Sequence, residues 1–226
     1  MDKYCFLGYK PNESIFNETL KHSFIKKYDK NSIIIRQGET NNKKLYLLLK
    51  GKVKIFRISE DGEEMVFGYY TKRVFFGESA FSDLPRYVSV EAMTKVEVAV
   101  LESIAYLKPV IREELLLELF KTHANKFQGL MELNEELRTK RLRTRLLNIL
   151  VTLSKEASKI TYNNSIYAII KITHDELADI VCANRVTVSN ELSKMQEDGL
   201  LRLHRGTIDL KLNNLSKCDV KVIKIV

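Results

Sequence analysis

The feature that most limits the fold of this chain is a change of hydrophobic rhythm at Pro109. Before it, from Ile33 to Leu101, short apolar runs alternate with turn residues: SIIIRQGE, KLYLLLKGKVKIFRIS, EMVFGYY and VSVEAMTKVEVAVL, punctuated by Gly38, Gly51 and Asp61-Gly62. Runs so short and so rich in β-branched and aromatic residues predict strands, and an antiparallel sandwich or barrel is the economical way to assemble them. Asp61-Gly62 predicts a hairpin with a type I′ turn, because both residues tolerate positive φ. Pro109 can open a helix but cannot sit inside one. From Ile111 to about Leu137 the residues favour one long amphipathic helix. Phe120, Phe127 and Asn134 fall seven apart on it, with His123, Leu130 and Leu137 interleaved. Such a heptad seam packs either on the preceding sheet or on a second chain, where Asn134 would set the register at some cost in stability.

Charge divides the chain at nearly the same place. Residues 138–226 hold 16 Lys/Arg against 9 Asp/Glu, a net of +7, while residues 1–137 hold 21 against 20, a net of +1. A near-neutral module is thus followed by one suited to a polyanion, the alternative being a solvated basic face. At 226 residues and 45% hydrophobic content, there is chain enough for two ordinary cores. The apolar runs are short and broken by charges, and no signal-like segment opens the chain, so a cytoplasmic protein with no membrane partner is expected. Cys5, Cys182 and Cys218 show no metal-ligand spacing and read as reduced thiols. The sharper alternative pairs Cys5 with Cys182 as a redox sensor. The final VKVIKIV, alternating apolar residues with Lys, predicts a last edge strand or a docking segment.

The clearest chemistry lies in THDELADIVCANRVTVSNELSKMQED, residues 173–198. Thr173 and Glu176 form a capping box that opens a first helix, with Leu177, Ile180 and Val181 as its buried face. Val181-Cys182-Ala183 is small enough for a sharp turn, and Asn184 caps a second helix. Val188, Leu192 and Met195 give that helix an inward stripe. Arg185, Val186, Thr187, Ser189 and Asn190 then lie on or near its outward first turns, where a helix in a major groove presents side chains to base edges. LRLHRGTIDLKL reads as a hairpin turning near Arg205-Gly206, which would bring cations to a phosphate backbone. A winged helix-turn-helix fits break, charge and hairpin better than a plain helical hairpin does.

Taken together these motifs resemble the CRP/FNR superfamily of bacterial transcription regulators. The likeness runs from about Ile25 to Leu212: R-Q-G-E at Arg36 to Glu39, L-Y-x-L-x-x-x-G-x-V-K at Leu45 to Lys54, E-D-G-x-E at Glu60 to Glu64, F-G-E at Phe76 to Glu78, and the helix-turn-helix. It implies an α+β chain: an N-terminal antiparallel β-roll (a double-stranded β-helix) over residues 1–110, a dimerisation helix over 111–137, and a C-terminal winged helix-turn-helix over 138–226. It favours the two-chain reading of the Phe120, His123, Phe127, Leu130, Asn134, Leu137 seam. The implied partners are a second copy, double-stranded DNA with a palindromic operator, and RNA polymerase. An effector in the roll would shift a pre-existing equilibrium of the two recognition helices.

In members that bind cyclic AMP, the Glu after F-G contacts the ribose, and an Arg beyond a short loop holds the phosphate with help from a Ser. Glu78, flanked by Gly77 and Ser79, and Arg86 match the first two. The loop is two residues shorter than usual, Tyr87 replaces the Ser, and Lys126-Phe127 replaces the Thr-Ser pair that contacts adenine. The expectation is an effector other than cyclic AMP, or none, with Arg86 a surface cation, a partner of Glu78, or the holder of a different ligand. A cyclic-nucleotide or thiol-redox response is the alternative within the family, and a signalling subunit that does not act on DNA is the alternative outside it. An iron–sulfur cluster would need four thiolates. The scattered His22, His123, His174 and His204, with no nucleophile elbow or phosphate loop, leave no catalytic or metal site to assign. The recognition run is Arg185-Val186-Thr187-Val188-Ser189-Asn190 where known branches carry Arg-Glu-Thr-Val-Ser-Arg, so a half-site different from the usual one is expected.

Overall fold

The structure is a computed structural model that describes residues 11–40, 43–71, 73–82 and 84–213. Cys5, Cys218 and the VKVIKIV segment lie outside them. The chain forms two compact units that divide between Met131 and Glu132.

The first unit begins with helix α1 (Glu13–Lys21), whose N-cap Asn12 accepts from the amides of Ser14 and Ile15. Strands β1 (Phe24–Tyr28), β2 (Ile33–Ile35), β3 (Leu45–Lys50), β4 (Lys52–Ile58), β5 (Glu64–Thr71), β6 (Val74–Phe76), β7 (Ser89–Ala92) and β8 (Val96–Leu101) follow. They form two four-stranded antiparallel sheets, ordered β1-β8-β3-β6 and β2-β7-β4-β5. This is the expected β-roll. Helix α2 (Pro109–Thr139) opens on its proline and runs past the expected end at Leu137.

The unbroken apolar run at Leu45–Leu48 is explained by burial on both sides of β3. Tyr46 and Leu48 join Val53, Val90, Val98 and Val100 in the core between the sheets. Leu45 and Leu47 face the other way, meeting Phe16 of α1 and Leu115 and Leu119 of α2. A strand with helices on one side and a sheet on the other has no polar face to alternate with.

Chain direction within the roll depends on one residue. Strands β3 and β4 are consecutive yet belong to different sheets, and only Gly51 stands between them. Its φ is 96°, and a Cβ there would meet the Lys95 carbonyl oxygen at 2.5 Å and Thr94 Oγ1 at 2.9 Å. Thr94 Oγ1 meanwhile accepts from the Lys52 amide at 3.1 Å, so the neighbour is not free to give way.

The hairpin at Asp61-Gly62 is present, but its turn is not type I′. Ile58 pairs with Glu64, leaving five residues in the loop, and of the pair only Gly62, at φ 84°, is left-handed. The Gly62 amide donates to the Ser59 carbonyl, and Ser59 and Glu63 are bonded through their backbones, so the wider loop needs one positive φ instead of two.

The second unit holds the end of α2, then α3 (Leu142–Ser154), β9 (Ser158–Tyr162), β10 (Ser165–Ile170), α4 (His174–Ile180), α5 (Arg185–Glu197), β11 (Leu201–His204) and β12 (Thr207–Lys211). The expected hinge in RTKRLRTR is a break at Lys140-Arg141. Its sheet, ordered β11-β12-β10-β9, contains the expected β11–β12 hairpin and a second one, β9–β10, that sequence reasoning missed. Asn163 and Asn164, at φ 46° and 56°, join that second hairpin. This is where the chain makes a two-residue turn with both positions left-handed, as type I′ requires.

Gly51→Ala is expected to cost about 2–3 kcal/mol or more, combining a left-handed non-glycine residue with a backbone clash. Urea unfolding of the variant, compared with Gly62→Ala where a Cβ meets nothing within 4 Å, checks this: the two substitutions should differ clearly.

Candidate functional site

Two surfaces carry the chemistry, one in each unit. In the first, a left-handed Gly77 at φ 82° turns the chain from β6 into a 3-10 turn over Glu78–Phe81. A Cβ on Gly77 would sit 3.0 Å from the Tyr46 ring and 3.1 Å from Ile35 Cδ1, so the close approach needs glycine. The opposite strand returns through Arg86, whose backbone bonds both Gly38 and Glu39. The R-Q-G-E motif is thus the other half of this cassette. Gln37 supports it, its side chain bonding both backbone groups of Ile58 while its amide donates to the buried Ser89 hydroxyl.

Between these segments and α2 lies a cavity of about 410 Å³, within the range of about 300–1,000 Å³ usual for small-molecule sites. Ile35, Ile55, Phe67, Phe76, Val88 and Val90 form its apolar wall, and His123, Lys126, Phe127 and Leu130 of α2 close it. Gly77, Glu78, Ser79, Arg86 and Tyr87 all border it as expected, as does Tyr70.

Arg86 is not a surface cation. It is 3% exposed, and its guanidinium donates to the Gly77 carbonyl at 2.6 Å, Ser79 Oγ at 3.0 Å and the Lys44 carbonyl at 3.1 Å. Glu78, 8% exposed, takes its cation from α2 instead, in a close ion pair with Lys126. The Lys126 ammonium also lies 5.0 Å from the centre of the Tyr70 ring. Burial alone would push the Glu78 carboxyl up, but Lys126 outweighs it and holds the group below its ordinary value. Burial likewise pulls the Lys126 ammonium down, yet Glu78 and Tyr70 raise it above the usual lysine range. Tyr87 turns outward from the cavity rim. Its ring is stacked beneath the Arg57 guanidinium, 4.3 Å from the ring centre, and meets Phe67 edge-on.

The α2 seam is left largely exposed, although His123, Phe127 and Leu130 also border the cavity. The inward stripe is Leu115, Leu119, Thr122 and Lys126, whereas Phe120 is 71% and Phe127 67% exposed, and His123, Leu130, Asn134 and Leu137 are exposed as well.

In the second unit the capping box at Thr173 and Glu176 is formed, and Asn184 caps α5 by accepting from the Val186 amide. Cys182 makes the turn between the helices at φ 49°, and partial burial pushes its thiol up, away from the reactive thiolate form. Val188, Leu192 and Met195 are fully buried, which turns Arg185, Val186, Thr187 and Asn190 to solvent. Ser189 is half-buried, with its hydroxyl 2.8 Å from His174 Nδ1, so it faces α4 more than the outside. The Arg185 Nε bonds the Asp175 carboxylate at 2.8 Å. Arg205 sits at the tip of the β11–β12 hairpin, while Arg202 is held between the rings of Tyr162 and Tyr167. Among the described residues no group of His, Cys, Asp and Glu could hold a metal, and no helix is long and apolar enough to cross a membrane.

Residues 25–108 match the model of the cyclic nucleotide-binding domain, and residues 141–217 that of the Crp-like helix-turn-helix domain. The chain belongs to the CRP/FNR superfamily. It is a DNA-binding transcription regulator of the CRP family, with one domain of each kind. The cAMP-activated global transcriptional regulator CRP of Salmonella typhimurium is 28% identical over 205 residues, covering 89% of this chain and 96% of that one. A CRP/FNR-family transcriptional regulator from Thermus thermophilus is 26% identical at a TM-score of 0.64, covering 83% of this chain and 93% of the other. CprK, solved in complex with OCPA, shares the fold at a TM-score of 0.74 and 21% identity, over 93% and 95% of the two chains.

Removing one half of the buried pair should cost far more than removing both. Lys126→Met is expected to lose about 3–5 kcal/mol, and the Glu78→Gln/Lys126→Met double variant distinctly less. A carboxyl held low and an ammonium held high make the pair's contribution complete between about pH 4.3 and about pH 10.4, the unfolded values. It is lost as pH falls through the folded Glu78 value or rises through that of Lys126. Urea unfolding over an acid series checks this: the gap between the wild type and Glu78→Gln should close below about pH 4.

Proposed function

We propose that this regulator acts as a homodimer on a palindromic operator, under control of its β-roll by an effector other than cyclic AMP, or without one. The observation that carries DNA reading is the two-sided α5: Val188, Leu192 and Met195 are fully buried while Arg185, Val186, Thr187 and Asn190 stand in solvent. Arg185 suits guanine O6 and N7, Val186 a thymine methyl and Asn190 an adenine. Thr187 completes the reading face, with Ser189 at its edge, bonded to His174. Thr173 and Arg205 are the phosphate contacts in this reading, which set register and not sequence.

The roles divide along the chain as sensor for residues 1–110, dimerisation for 111–137 and DNA binding for 138–226. The exposed seam of Phe120, His123, Phe127, Leu130, Asn134 and Leu137 supports the second, because apolar residues at heptad spacing gain most by pairing with a second helix. RNA polymerase is the further partner this reading implies.

Cyclic AMP is the poorer effector because the groups it would need are already engaged. Glu78 holds Lys126, and Arg86 holds two carbonyls and a hydroxyl. The fold does not dictate the ligand, since CRP is cAMP-activated and CprK was solved with OCPA. A thiol response is not favoured at Cys182, whose thiol is pushed up.

The direct test selects bound fragments from random DNA, with and without cyclic AMP. A palindromic motif that cyclic AMP leaves unsharpened is expected, with binding that weakens steeply as salt rises. On the selected site Arg185→Ala should cost about 1–3 kcal/mol at fixed salt and relax preference at one base pair of each half-site. An unchanged affinity would remove that role. Leu130→Glu should leave a monomer by sedimentation and abolish operator binding.

A further inference from the structure

Resting on the reading of the roll as the sensor, the structure assigns a ligand class to its cavity: we propose that it takes an uncharged, largely hydrocarbon molecule and rejects phosphate-bearing ones. The argument starts from what a ligand must displace. A phosphate seeking Arg86 has to draw the guanidinium off the carbonyls of Gly77 and Lys44 and off Ser79 Oγ. Those oxygens would be left buried without their donor, which is costlier than the bond itself suggests. An anion seeking Lys126 must separate it from Glu78, stranding a buried carboxylate. A ribose hydroxyl seeking Glu78 competes with a full positive charge already in place. Each polar approach therefore breaks an interaction inside the wall.

An uncharged apolar molecule breaks none of them. Ile35, Ile55, Phe67, Phe76, Val90 and Leu130 supply branched and aromatic surface around a space of about 410 Å³, a lining that a hydrocarbon ligand gains most by covering. The Lys126 and Glu78 charges meet within the wall, and the Arg86 guanidinium is turned onto two carbonyls and a hydroxyl, so an incoming anion would have to break bonds already made. Lys126, held by Glu78, thus works as a built-in polar plug that leaves the apolar part of the site open.

Two probes with the same ring skeleton separate charge from shape: neutral N-phenyl-1-naphthylamine and anionic 8-anilino-1-naphthalenesulfonate, titrated with cyclic AMP into the full chain. The neutral probe should saturate at one per chain, at least ~10-fold tighter than the sulfonate or cyclic AMP, the difference set by desolvating the charge. Val88→Trp, filling the cavity from a half-buried wall position, should abolish binding. Should that variant not fold, hydrogen exchange of the wild-type chain localises the site, with the neutral probe expected to slow amides in β4, in β6 and at Gly77 to Ser79. Equal or tighter binding of either anion, no saturable binding of the neutral probe, or saturable binding with neither loss in Val88→Trp nor protection at these amides overturns the assignment. Operator binding, measured alongside by band shift, reports separately on the regulator reading, which stands or falls without reference to the probes.

Discussion

One ion pair fixes the phase of the helix on which the sensor unit closes. Lys126 can neutralise Glu78 only if its face of α2 turns toward the cassette, and a helix gives no freedom after that: residues at three- and four-residue spacing follow to the same side. Leu115, Leu119 and Thr122 are accordingly inside, while Phe120, Phe127 and Leu130 are left in water. Rotating α2 by one residue position would expose Leu119 and strand two buried charges, so the packing of the roll and the presentation of the seam are one decision. The pair adds little as net attraction, since burying both charges consumes most of what they gain by meeting. Its importance is that every alternative phase is worse.

Phe127 and Leu130 line the cavity of the roll and also stand on the exposed seam. A molecule filling the cavity would press on the same side chains that a partner helix would grip. Coupling between ligand and pairing then requires no relay through the sheets, only a preference of these two side chains for different rotamers with the cavity full or empty. Such a preference shifts an equilibrium by no more than the ligand's differential contact with the two states.

Much of this was legible in the sequence, and the failures share a cause. The short β-branched and aromatic runs signalled the strands, Pro109 marked the start of α2, and the Thr173–Glu176 box and Asn184 located α4 and α5 almost to the residue, because each signal is local. The α1 helix and the β9–β10 hairpin were missed although Asn12 and Asn163-Asn164 are themselves turn and cap residues; neither is flanked by a periodic run long enough to draw attention. At Asp61-Gly62 the dipeptide signalled the hairpin, but loop length, set by where Ile58 and Glu64 pair, chose the turn. In the pocket Gly77, Glu78, Ser79, Arg86, Tyr87, Lys126 and Phe127 were legible, whereas Tyr70, the apolar wall and the pairing were not. Glu78 and Lys126 are 48 positions apart, and no local rule connects a loop to the inward face of a helix.

The same limit bears on how the DNA-reading face is organised. Arg185 and Ser189 lie in the motif that sequence alone makes readable, yet each is held by a residue of α4, Asp175 and His174, that no spacing singles out. An exposed arginine bonded to a carboxylate loses some of the rotamer freedom it would otherwise give up on meeting a base. If Arg185 reads a guanine, as proposed, Asp175 both restricts the guanidinium beforehand and competes with the base for it.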